Sequence, residues 1–316
     1  MQTGLGVSDA AAAPDGWVVA AFGRASAADR GVGDRSVSPE LLPDGDWSRA
    51  VALAGTGRFA GARVLAARLA ARTGVWSSAG LCLRASMLRQ TSRHRAASAV
   101  DGAALAAALA GSATALAWPA DPIARAFAVD ALVGLAADAL GTGRFALART
   151  LLDRAGTVYS RMDAPPGTSP PADLGPAPWW TTDRAALRRA WVTAETAVYT
   201  GDTRGSATAA DDLAARDPGP ARPRYHAKNA LIRAAALAAS GRPDEAVAAA
   251  RCGYEVAADH GLRPLEWAGA RLVGALVGGP EGRRLGGEAD RIASLLAREG
   301  AVFGSRGRSH ASGLGE

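Results

Sequence analysis

The hexapeptide Gly-Thr-Gly-Arg-Phe-Ala occurs twice in this chain, from Gly55 to Ala60 and from Gly141 to Ala146. Each copy follows an Ala/Leu-rich run and opens another, so each reads as a tight turn joining two helices that share a packing register. A joint that recurs points to stacked helix pairs, and repetition of this kind is tested before any single motif is believed.

With the second Gly of each copy as anchor, seven residues back and five forward, the first copy gives Ala50, Gly57, Phe59 and Ala62. The second gives Ala136, Gly143, Phe145 and Ala148. Three further places fit without the hexapeptide: Ala85, Ser92, His94 and Ala97; Ala194, Gly201, Thr203 and Ser206; and Ala234, Gly241, Pro243 and Ala246. Two antiparallel helices joined by a short turn approach closely only where both carry small side chains, and Gly at the turn supplies the backbone angles that end one helix and start the next. In the fifth unit Pro243 stands in a first helical turn, followed by Asp244 and Glu245 where the helix dipole favours anions.

This spacing resembles that of the tetratricopeptide (TPR) repeats, over roughly residues 43 to 260 in five units. The aromatic and bulky positions of the family's first helix are mostly Ala or Leu here, and the closing Pro is matched only by Pro218. The resemblance implies an all-α fold, an α-α superhelix of antiparallel helix pairs. Turn-to-turn spacings of 35, 51, 58 and 40 residues exceed the family period of about 34. The Pro-rich insertion at 163–180 accounts for most of the 58, and Asp217 to Arg224 forms a smaller loop. The excess before the third turn lies around Ala110 to Asp121, where Trp118-Pro119 and Asp121-Pro122 stop one helix and start another.

The expected organisation is a mostly disordered segment over 1–42, a repeat domain over 43–300 and a disordered tail over 301–316. The N-terminal segment holds one apolar island, Trp17 to Phe22, that either docks on the first unit or binds a partner. The array begins near Pro43, where Asp44 or Asp46 can cap a helix. After Gly261 the template fails; Leu262 to Val277 and Glu288 to Arg298 read as a helix pair capping the open end of the array.

Composition excludes several classes. Ala and Leu dominate, β-branched residues are sparse and no stretch alternates like a half-buried strand, which excludes a sheet protein. The formal charge of +6 is carried almost wholly by Arg, with Lys228 the only lysine. Arg and Ala bias of this kind is what a GC-rich genome imposes, so nucleic-acid binding is disfavoured. Cys82 and Cys252 fall in different units, as small hydrophobes of a reducing compartment rather than a disulfide or metal pair. No run suits a membrane span or a signal sequence, so a cytoplasmic protein is expected.

Gly55-Thr-Gly and Gly141-Thr-Gly are not phosphate loops, because each follows a helix rather than a strand and lacks the third Gly. His94, His226, His260 and His310 show no ligand spacing, and no nucleophile elbow or zinc helix is present. No enzymatic activity, no cofactor and no metal are therefore expected.

If the TPR-like register holds, the first helix of each unit lines the concave face. The groove positions are then Trp47 and Val51; Cys82, Ser86 and Arg89; Asp130 and Val133; Arg188, Trp191 and Glu195; and Lys228 and Leu231. Trp191 flanked by Arg188 and Glu195 is the favoured patch, with plain core packing of Trp191 as the alternative. The Lys and Asn pattern by which some members of the family clamp a terminal carboxylate is absent, Cys82 standing where a clamp Lys would be. Trp179-Trp180 either anchors the insertion on the array or leads into a lid over the groove. The expectation is a non-catalytic scaffold that binds a protein or peptide on its concave face, with a homodimer through exposed array ends left open. The alternative is a ligand-sensing regulatory module resembling the helical-repeat regions of bacterial transcription regulators.

Overall fold

The computed structural model describes residues 16–23, 44–110, 121–160 and 179–301. The expected disorder of 1–42 and 301–316, and the insertion up to residue 178, fall almost wholly outside them. Among the described residues there are thirteen helices and no strand. A short α1 (Gly16–Phe22) precedes six pairs: α2 (Gly45–Gly55) with α3 (Phe59–Ala70), α4 (Val75–Gln90) with α5 (His94–Leu109), and α6 (Pro122–Gly141) with α7 (Phe145–Ser160). Then come α8 (Thr182–Tyr199) with α9 (Thr203–Ala215), α10 (Pro223–Ala239) with α11 (Pro243–Asp259), and α12 (Arg263–Val277) with α13 (Gly279–Arg298). Each second helix also packs on the first helix of the next pair, and successive first helices touch one another. The result is an all-α superhelical arrangement with the even-numbered helices on the inside.

Local chemistry sets the joints. At each of the five template turns the anchor residue adopts positive φ: Gly57 at 85°, Ser92 at 61°, Gly143 at 74°, Gly201 at 68° and Gly241 at 79°. The next residue's N–H then reaches back five positions, as in Arg58 to Leu53 (2.8 Å) and Arg144 to Ala139 (2.8 Å), which satisfies carbonyls that the helix end would orphan. The small residues bracketing those turns, Ala50, Ala85, Ala136, Ala194 and Ala234 before and Ala62, Ala97, Ala148, Ser206 and Ala246 after, are all at 0% exposure. Asp44 caps α2 by accepting from the N–H groups of Asp46 and Trp47, and Asp121 caps α6 at Pro122 by accepting from Ile123.

α6 is apolar on every side and is correspondingly buried between α4, α5, α7 and α8. It still carries two carboxylates inward, Asp130 and Asp138, both almost fully buried.

Two expectations about the ends need correction. The last helix pair was expected to cap an open end, yet α13 returns to the start: the Ala60 N–H donates to the Glu299 carbonyl at 2.9 Å, and Leu296 and Pro264 lie against Gly57. α13 also starts at Gly279, well before the amphipathic run at Glu288, because its apolar stripe begins with Leu285. The apolar island forms α1, which docks on α2 and reaches α10; there Arg222 donates to the Phe22 carbonyl at 3.3 Å. The superhelix therefore makes a turn whose two ends meet.

Candidate functional site

The first helices of all six pairs surround one cavity of about 380 Å³. All eight residues expected to bind a partner line it: Trp47 from α2; Ser86 and Arg89 from α4; Asp130 from α6; Arg188, Trp191 and Glu195 from α8; and Lys228 from α10. Val51, Cys82 and Val133 line it as well. Leu231 does not. It is buried against Gly253 of α11 instead, because that glycine lets the two helices close over the leucine side chain. Phe22 of α1, Leu296 of α13 and Ala301 complete the wall, and the exposed Tyr199 stands at the rim.

Aromatic rings build two parts of that wall. Trp47, 3% exposed, sits at a hub with ring centroids 4.9 Å from Phe22, 5.1 Å from Phe127 and 5.3 Å from Trp180. Offset and edge contacts at such distances are attractive beyond the area they bury. The second part is Trp191, lying nearly parallel to Tyr225 at 6.1 Å, while Trp179 meets Tyr225 edge-on at 4.7 Å. Trp191 is both core and wall: its indole N–H donates to Asn229 Oδ1 at 3.0 Å, and Asn229 donates to the Leu213 carbonyl at 2.8 Å. Trp179 and Trp180 thus fix the C-terminal edge of the insertion to the array; the lid reading concerns residues outside those described.

Charge fills the rest. Asp130 pairs with Arg184, which also donates to the Trp180 carbonyl at 2.7 Å, and with Arg188 Nε at 2.8 Å. Burial would raise the Asp130 pKa, but the two guanidinium groups outweigh it and hold it below the usual value. Arg89 reaches behind the wall to Asp101 and to Asp138 (3.1 Å). Burial dominates at Asp101 and pushes its pKa to about 7, against the pull of Arg89. Gly134 makes this cluster sterically feasible, since a Cβ there would occupy the space of the Asp101 carboxylate. Across the cavity, burial raises Glu195 and lowers Lys228 to about 8, although each partly offsets the other. Lys228 Nζ lies 4.6 Å from the centre of the Trp191 ring, a cation–π contact. Arg224 donates to the Val51 carbonyl at 3.2 Å, and burial lowers its pKa, with Arg188 and Arg184 adding to the effect.

Sequence reasoning missed Arg184, Arg224, Tyr225 and His94 as wall residues. A signal was present for His94: its ring lies against Gly141, the first glycine of the second hexapeptide. Two of the four histidines are half-buried and stand beside a carboxylate. His94 sits 3.4 Å from Asp138, and His226 lies between Asp217 (2.7 Å) and Cys252 Sγ (3.8 Å). Burial, with Asp217 and Glu255, raises the Cys252 thiol rather than activating it. Cys82 and Cys252 are both free.

Among the described residues no cluster of three or more His, Cys, Asp or Glu could hold a metal ion, and no helix is long and apolar enough to cross a membrane. The fold and wall thus define an all-helical array of paired helices around a charged and aromatic cavity. No protein-family model, curated protein or solved structure matches this chain.

Proposed function

We propose that this chain is a non-catalytic, TPR-like binding module whose inner wall receives a small ligand, the ligand-sensing alternative of the sequence reading, ahead of a broad protein-binding scaffold. The observation that carries this reading is the meeting of the two ends, Ala60 on Glu299 and Leu296 on Gly57. A concave face that is ringed by six first helices and holds about 380 Å³ has the size of a small-molecule site rather than of a protein docking trough. The wall supplies aromatic surface and a few charged groups converging on one space.

A narrower scaffold reading is favoured by one observation: Tyr199, 69% exposed, stands where the cavity opens. A peptide could enter there end first while the rest of its length remains outside.

The test is to fill the space. Ser86→Trp places an indole in the cavity from α4, at a half-buried position away from the helix seams. The full chain, purified natively and then denatured, is expected to release a stoichiometric small molecule detectable by mass spectrometry, and the filled variant none. Equal amounts from both proteins, with the variant folded by circular dichroism, would refute a cavity ligand.

A further inference from the structure

Among the described residues, five Arg and Lys side chains face the cavity: Arg89, Arg184, Arg188, Arg224 and Lys228. Asp130 offsets one of the Arg184 and Arg188 pair, and Arg89 is held from behind by Asp101 and Asp138. Glu195 is the remaining carboxylate on the wall among the described residues. Even with the carboxylates behind the wall counted, five cations meet four acids, and burial raises the pKa of both Asp101 and Glu195. Arg224 has a backbone carbonyl as its partner and no carboxylate within ion-pair distance among the described residues, and Lys228 has an aromatic face. Arg188, Arg224 and Lys228 are half-buried, where water screens charge less than at a free surface, so the wall carries an incompletely balanced positive charge.

We propose that the ligand is a small anion, a carboxylate or phosphate carried on an aromatic or aliphatic body, with its charged group among Arg188, Arg224 and Lys228 and its body against Trp191 and Tyr225. This rests on the cavity being the ligand site. The three cations come from α8 and α10 and lie near enough for Arg188 and Arg224 each to depress Lys228. A guanidinium offers a planar fork to a carboxylate or phosphate, and Lys228 a point charge beside it. The rings of Trp191 and Tyr225 stack with 20° between their planes, and both line the cavity next to that charged corner.

The occupant also sets a proton balance. Lys228 faces Glu195 and Arg188 from α8, Arg224 from its own helix and Arg89 from α4, and is held at about 8. An anion beside it raises that value, so binding near pH 8 takes up a proton and weakens as pH rises further.

Isothermal titration of the full chain with matched probes tests the proposal: indole-3-acetate against its amide, and phenyl phosphate against phenol. The acids are expected to bind at least about tenfold more tightly than their neutral partners, as lost charge-assisted hydrogen bonds imply. Arg224→Gln and Lys228→Met should each weaken the acids severalfold, with acid affinity in the parent protein falling between pH 7 and pH 9. Neutral partners that bind as well as the acids, and that Ser86→Trp expels, would overturn the ligand class and leave the cavity reading standing. Acids that still bind Ser86→Trp, or no binding by any probe, would overturn both.

Discussion

Replacing Asp130 with Asn removes the carboxylate charge that pairs with both Arg184 and Arg188 while keeping the side chain's shape. Asp130 is 3% exposed, and the two arginine side chains keep only 6% and 20% of their surface. Breaking a buried pair by deleting one partner typically costs about 3–5 kcal/mol, because the remaining charge is stranded in a medium that solvates it poorly. Here two cations are stranded, and Arg184 cannot move freely to water because it also donates to the Trp180 carbonyl and lies over the Trp47 ring. The upper half of that range is therefore expected. The assay is urea unfolding followed both by tryptophan fluorescence and by circular dichroism, since a repeat array need not unfold in a single step. A second variant makes the reasoning falsifiable: with Arg184→Met added, one stranded cation disappears. The double variant should then be less destabilised than the sum of the singles by about 1 kcal/mol or more. A cost below about 1 kcal/mol for Asp130→Asn, or strict additivity of the pair, would refute the claim that this carboxylate holds the inner wall together.

Two other perturbations have signs fixed by the structure. Gly143 has φ of 74° with open space around it, so Gly143→Ala should cost about 1–2 kcal/mol from backbone strain alone, whereas Ser92→Gly, at φ of 61°, should be neutral or mildly stabilising; thermal melts of both variants check this. Asp101 titrates at about 7 when folded and near 4 when unfolded, so the folded chain binds the extra proton between those values and this group's contribution to stability falls as pH rises from 4 to 7. Asp101→Asn should flatten that part of the stability–pH profile measured by urea unfolding, and an unchanged slope would contradict it.

The joints were legible because they are local. Positive φ at Gly57, Gly143, Gly201 and Gly241 follows from turn chemistry, and even Ser92 was located by the alanines on either side of it. One further local signal went unused: a hydroxyl precedes every anchor, at Thr56, Thr91, Thr142, Thr200 and Ser240, and each bonds a carbonyl of its own last turn. Which residues point inward was largely readable too, since helix periodicity follows from the register that the turns set. Leu231 failed because inward and pair-facing positions differ by less than one turn. The meeting of the ends was not legible, because it sums a small rotation over six pairs and no single residue encodes it. Nor was the reach of Arg184 and Arg224, whose long side chains find partners 54 and 173 positions away, or the return of the loop at Asp217 to His226.

The duplicated hexapeptide acquires a second meaning from this geometry. Its second glycine serves the turn, but its first, Gly55 or Gly141, ends the helix with ordinary angles and so is not required there by the backbone. The corresponding residues of the second and fourth units are Gln90 and Tyr199, and all four positions line the cavity. Where the residue is large, its own side chain shapes the wall. Where it is glycine, a polar side chain from another helix packs against the vacated surface: Arg224 Cδ would be 3.2 Å from a Cβ at Gly55, and the His94 ring covers Gly141. The string that announced the fold thus also marks two seats for side chains from other helices, so the first glycine of the turn motif helps to shape the cavity wall.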